Sequence, residues 1–254
     1  GTNLLAKCMI LMGYRDCGAI AGHLMSGATI AGRFRRYLWR NPKDAYLIGI
    51  DSPIEMPKSA IDRKLRKLPL RAFLTAHIGY SDALLLKALS MGFAPLLVIR
   101  DPRAILASFV PYVVRKTQHP LHRAFVTMTD SERYSAALHG GQFGNVRLMS
   151  LRQRCEALQP WLANRAVMTI RFEDIVGSRG GASDARQLEV LQQLCQRLGL
   201  PEEKASEVSG KLFGPGRGTF RKGRVDAWRD EVPADIIEQA RDELADIIRA
   251  WGYV

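Results

Sequence analysis

The chain has 254 residues, 47% of them hydrophobic, which is enough to fill the core of one large or two small domains and excludes a disordered chain. Its 37 Lys and Arg against 25 Asp and Glu leave a formal net charge of +12, so an anionic partner is expected: a nucleotide, nucleic acid, an acidic glycan or an anionic membrane surface. Cys8, Cys17, Cys155 and Cys195 show neither CxxC spacing nor the density of a secreted scaffold, so packed thiols in a reducing compartment are expected in preference to a metal site. No apolar run approaches the roughly 18 residues of a membrane span, and no charged leader with a small-residue cleavage site opens the sequence. The expectation is a soluble, cytoplasmic chain.

Short apolar runs alternate with longer helical patterns, which predicts an α/β fold: a parallel sheet flanked by helices on both faces, in a single domain over residues 1–254. In chain order, the pattern predicts a helix over Asn3–Met12 and strands over Ala45–Ile50 and Arg71–Thr75. A helix over Ser81–Ser90 and a strand over Pro95–Ile99 follow. Helices are then predicted over Pro102–Val114, Ser131–His139 and Leu151–Ala163, a strand over Ala166–Phe172, and helices over Ala185–Leu198 and Ala234–Trp251. The last of these carries Ile236, Ile237, Ala240, Leu244, Ile247 and Ile248 on one face. Residues Asp51–Pro69, His139–Asn145, Val176–Ser183 and Gly210–Asp226 read as irregular.

The phrase PLLVIRDPRAILASF is the most informative stretch. Its strand ends at Arg100, Asp101 is placed to cap the next helix, and Pro102 takes the first helical position, where a missing N–H costs nothing. Arg100 is therefore either an anion-holding arginine beside a helix N-terminus or a structural residue at an ordinary turn. The opening GTNLL is similarly double-valued: it is the end of a glycine turn whose N–H groups cradle an anion, or an arbitrary start. Arg217, Arg221, Lys222 and Arg224 crowd among Gly214, Gly216, Gly218 and Gly223, as a phosphate site or a solvated basic loop. His77 follows a strand at the ligand-binding end of an α/β sheet, where it is either a general base or a structural histidine. His119 and His122, flanking Pro120, are assigned no role, and Arg171, Glu173 and Asp174 read as a local surface ion pair.

Taken in order, the loop end GTNLL, the strand end TAH, IRDPRAILASF, the strand end RFED and FRKGRVDAW resemble the sulfotransferase family, over Gly1 to Trp228. The resemblance implies a P-loop-like fold whose first strand, with the loop Lys or Arg and Ser, precedes Gly1, and the donor 3′-phosphoadenosine-5′-phosphosulfate (PAPS) with no metal. It implies that Gly1, Thr2 and Asn3 end the 5′-phosphosulfate loop, and that Arg100 and Ser108 bind the 3′-phosphate together with Arg221, Lys222 and Gly223. It further implies that His77 is the catalytic base and that Trp228 occupies the tryptophan position of the tail. Thr75 stands where many cytosolic members have lysine, Leu4 where they stack a tryptophan on adenine, and Phe172 where they have tyrosine. HIGYSD is more similar to the strand end of bacterial sulfotransferase domains.

The implied reaction is transfer of a sulfuryl group to the hydroxyl of a small molecule, lipid or glycan, the acceptor loops falling in Arg15–Arg40, Asp51–Pro69 and Tyr112–Ser131. Two other readings stand beside it. A non-catalytic basic binder of nucleic acid or acidic glycan would show a steep salt dependence, although the basic cluster has no interleaved aromatics and a nucleic-acid partner is not expected. A P-loop kinase would need a GKS or GKT, which the sequence lacks, Thr2 following Gly1 directly.

Overall fold

The computed structural model describes residues 1–20, 43–214 and 222–253. Helix α1 (Thr2–Leu11) leads into strand β1 (Arg15–Ile20); β2 (Ala45–Ile48), β3 (Ile54–Pro57), α2 (Lys58–Arg66) and β4 (Ala72–Ala76) follow. Next come α3 (Asp82–Ser90), β5 (Leu96–Ile99), α4 (Pro102–Arg115), α5 (His122–Val126), α6 (Asp130–His139) and the pair β6 (Gly141–Phe143) and β7 (Val146–Leu148). The remainder comprises α7 (Leu151–Glu156), α8 (Gln159–Ala163), β8 (Met168–Arg171), α9 (Phe172–Ile175), α10 (Asp184–Leu198), α11 (Glu203–Leu212), α12 (Trp228–Glu231), α13 (Ala234–Glu243) and α14 (Ala245–Ala250).

The parallel pairing is carried by β1 with β4 and by β5 with β8, Leu96 opposite Met168 and Ile99 opposite Arg171. Successive residues of a strand point to opposite faces, and β5 obeys this rule in what it packs against. Leu97 and Ile99 meet a core built from α4, α6 and the C-terminal helices. Leu96 and Val98 meet a second core made by α1, α10 and α11. Helices therefore cover both faces, as the alternating pattern predicts. A third cluster, around Ile48, Met56 and Ile61, holds α2 against the β2–β3 pair.

Several expectations are corrected. Ala45–Ile50 is not a strand of the parallel sheet; β2 pairs antiparallel with β3, and Leu47 on its outer side is 54% exposed. The hairpin turns at Gly49, whose φ of +94° no β-branched or bulky residue adopts cheaply, and where a Cβ would lie 2.9 Å from the Ser52 carbonyl oxygen. Asp51–Pro69 accordingly contains β3 and α2 instead of being irregular, His139–Asn145 contains β6, and Gly210–Asp226 begins inside α11. The helix predicted over Leu151–Ala163 is two, the second admitting Pro160 in its first turn. That over Ala234–Trp251 breaks at Leu244, with φ −116° and ψ 15°.

Cys8, Cys155 and Cys195 are buried, whereas Cys17 on β1 is half-buried, and all four are free thiols. Burial pushes the Cys8 and Cys155 thiols up to about 12 and raises that of Cys195, which suppresses their reactive thiolate form. Alkylation of the native protein followed by mass spectrometry is therefore expected to modify Cys17 first. Modification of Cys8 should begin only as denaturant opens the core.

Candidate active site

The chemistry gathers beyond the carboxyl ends of β5 and β8. At the end of β5, the Asp101 carboxylate accepts the Arg103 backbone N–H at 2.8 Å, the N-cap that the sequence predicts, and also pairs with the Arg103 guanidinium at 2.7 Å. Both side chains are buried, and Arg103 stacks on the Trp228 ring at 4.3 Å. Trp228 thus lies beneath the site as packing for an ion pair.

One residue earlier, the Arg100 guanidinium lies 4.3 Å from the centre of the Phe172 ring and donates to the Arg224 carbonyl at 3.0 Å. The strand ends and the basic loop after residue 221 meet there. The amino end of α1 completes the corner: a Cβ on Gly1 would come within 2.5 Å of Val98 Cγ2 and 3.6 Å of Phe172 Cβ. No side chain fits at Gly1, and α1 starts directly on β5. The N–H groups of its first turn, at Thr2 and Asn3, precede any acceptor the helix itself can offer.

Glu173 and Asp174 do not form the expected local pair with Arg171. Glu173 accepts the Asp101 backbone N–H at 3.2 Å and the Tyr253 hydroxyl at 2.7 Å, Asp174 pairs with Arg186, and Arg171 donates to the Gly252 carbonyl. Burial, with the Glu173 charge beside it, raises the Tyr253 phenol above the ordinary tyrosine range and keeps it a donor. The reason these side chains separate is geometric: β8 ends at Arg171, and the helical turn of α9 points its acids to different neighbours.

His77 follows β4 and is exposed. Its backbone is pinned on both sides: its carbonyl accepts the Gly49 N–H at 2.6 Å, Ile78 bridges Ile48, and the Trp161 indole donates to the Ile78 carbonyl at 3.1 Å. A rigid main chain thus presents the imidazole.

One cleft of about 1950 Å³ connects these parts, and its wall includes Gly1, Thr2, Asn3, His77, Arg100, Ser108, Phe172 and Gly223. Ser108 is exposed on α4 and donates to the Ile105 carbonyl at 3.0 Å. Lys222 is not in this wall; it pairs with Glu231 at 2.8 Å. Arg221, like Arg217, lies outside the described residues. From the segments expected to form acceptor loops, Asp51, Pro53, Tyr112 and Lys116 reach the cleft, while 21–42 lie outside the described residues.

His119, given no role from sequence, also lines the cleft, edge-on to Phe109 and Tyr112. Its Nδ1 accepts the Leu121 N–H at 3.2 Å, so the neutral ring carries its proton on Nε2, and burial lowers its pKa below the usual histidine value. Its Pro-flanked position offers no signal for this; only the aromatic spacing of Phe109 and Tyr112 on α4 hints at a partner. Glu173 and Tyr253 were likewise missed as parts of one unit, being 80 positions apart.

No family model matches the chain, and no curated protein matches it in sequence. Among solved structures it is similar to the crystal structure of mouse sulfotransferase SULT7A1 complexed with PAP, at 15% identity and a TM-score of 0.51, over 97% of this chain and 89% of that one. Among the described residues, no helix is long and apolar enough to cross a membrane. The chain therefore has the fold of that sulfotransferase across nearly its whole length.

Proposed function

We propose that residues 1–254 act as a sulfotransferase domain that takes a sulfuryl group from PAPS and transfers it to an acceptor hydroxyl. The observation that carries this reading is the corner where the amino end of α1, Arg100 on Phe172, and the loop at Gly223 and Arg224 meet. Its donors suit a nucleotide with two separate anionic groups: helix N–H groups on one side and the Arg100 guanidinium on the other. The PAP in the similar mouse structure is a ligand of this kind.

In this reading Gly1, Thr2 and Asn3 hold the 5′-phosphate side, and Arg100, Ser108 and Gly223 hold the 3′-phosphate, with Arg221 joining from the basic loop and Lys222 doing so only by exchanging its Glu231 partner for the phosphate. Phe172 backs the Arg100 guanidinium and fixes its plane. The bound nucleotide supplies a sulfuryl group on a phosphate leaving group. His77 removes the acceptor proton at a ring nitrogen, the fixed main chain around it keeps the residue at the cleft wall, and positioning with charge stabilisation supplies most of the acceleration. The acceptor is a hydroxyl-bearing small molecule, lipid or glycan, and the setting is cytoplasmic.

Titration calorimetry with 3′-phosphoadenosine-5′-phosphate tests the donor site. Tight binding is expected, weakened about 100-fold by Arg100→Ala through the loss of a charge-assisted bidentate contact, with ADP binding poorly. Equal affinity for ADP, or an Arg100→Ala variant that binds like the parent, overturns the reading.

A further inference from the structure

The segment RKLRKLPLR, from Arg63 to Arg71, concentrates charge and one apolar tip in a single exposed turn. The apolar side of α2 is spent inward, on Ile61 and Leu65, which are buried. Its other side and the turn after it present Arg63, Arg66, Lys67 and Arg71, all exposed, and none of the four pairs with a carboxylate among the described residues. The neighbouring charges are already matched: Lys58 pairs with Asp44, Asp62 with Lys87, and Lys64 donates to the Ala19 carbonyl. Between the cations stands Leu70, 97% exposed, with Pro69 beside it, also exposed.

We propose that this turn docks the protein on an anionic lipid bilayer. Four uncompensated cations meet the headgroups, while Leu70 and Pro69 enter the interface. Stable attachment needs such a pair of signals, charge and apolar insertion, because either alone gives only weak, readily reversed binding. A fully exposed leucine ringed by arginine and lysine has no use in binding a polyanion through its phosphates or sulfates, but it fits a surface that is anionic outside and apolar a few ångströms below. The turn is also part of the cleft mouth: Leu47, Leu68, Pro69, Leu70 and Arg71 line it. Docking therefore sets that mouth against the membrane. This inference stands independently of the donor chemistry.

The test is sedimentation with vesicles of phosphatidylcholine containing about 30% phosphatidylglycerol, enough to give the strongly negative surface potential on which the docking depends, beside pure phosphatidylcholine. The protein is expected to bind the anionic vesicles only. The double variant R66E/K67E should lose about 30-fold or more in affinity, from roughly 1 kcal/mol for each surface cation. Leu70→Ser, which keeps every charge, should lose about tenfold through the apolar contact alone. Thermal melting checks that both variants fold, as expected for side chains without core contacts. Absence of binding to anionic vesicles overturns the proposal. So does a Leu70→Ser variant that binds them like the parent, in which case heparin retention lost by R66E/K67E would mark the turn as a polyanion site.

Discussion

His77→Ala is expected to lower sulfuryl transfer by about 10²–10⁴-fold, the usual contribution of a positioned acid–base group, while calorimetric affinity for 3′-phosphoadenosine-5′-phosphate stays unchanged. The separation follows from where the residue sits. His77 follows β4, its main chain tied to Gly49 and its neighbour Ile78 tied to Ile48 and Trp161, whereas the groups proposed to hold the nucleotide's anions stand beyond β5 and β8. Its side chain is exposed and supports no core packing, so the variant should melt like the parent. Transfer is measured on the best acceptor from a panel of phenols, sugars and hydroxylated lipids. Near-full turnover would remove His77 as the base and direct attention to His119, the other imidazole in the cleft wall among the described residues.

Asp101→Ala should destabilise the protein by about 3–5 kcal/mol, because it leaves the Arg103 guanidinium buried without its carboxylate and removes the N-cap of α4. Asp101 and Arg103 are 6% and 7% exposed, and they share three hydrogen bonds between side chains besides the capping one. For a chain of this size the loss corresponds to roughly 10 °C in Tm. The effect should reach the site, since Asp101 adjoins Arg100 and its own N–H is held by Glu173. The double variant D101A/R103M separates the causes: with the buried charge gone and Trp228 still covered by an apolar chain, most of the stability should return. A single variant as stable as the parent would show that the pair is not the anchor its burial indicates.

The strand, turn and helix around Arg100 were legible because each feature there is local. An apolar run, an Asp at the cap and a Pro at the first helical position specify the turn through contacts within a few residues, and the predicted Pro102–Val114 differs from α4 by one residue. Ala45–Ile50 failed for a complementary reason. An apolar run states that a strand is buried but not which neighbour it pairs with or in which direction, and here Gly49 and Pro53 turn the chain back on itself. Helix α11 escaped because its apolar residues are sparse, though Ala205, Val208 and Leu212 keep helical spacing.

What the sequence determined by itself was the alternation that makes the α/β fold and the residue types at strand ends, where His77, Arg100 and Phe172 stand, because these depend on periodicity and short-range capping. What only the tertiary structure decided was their company. Gly1 lies against Val98, Arg100 reaches the Arg224 carbonyl, Lys222 turns to Glu231, and Tyr253 closes on Glu173. Each of these choices joins segments distant in the chain or selects one carboxylate among several, and only the packing of helices on both faces of the sheet brings the chosen partner within reach.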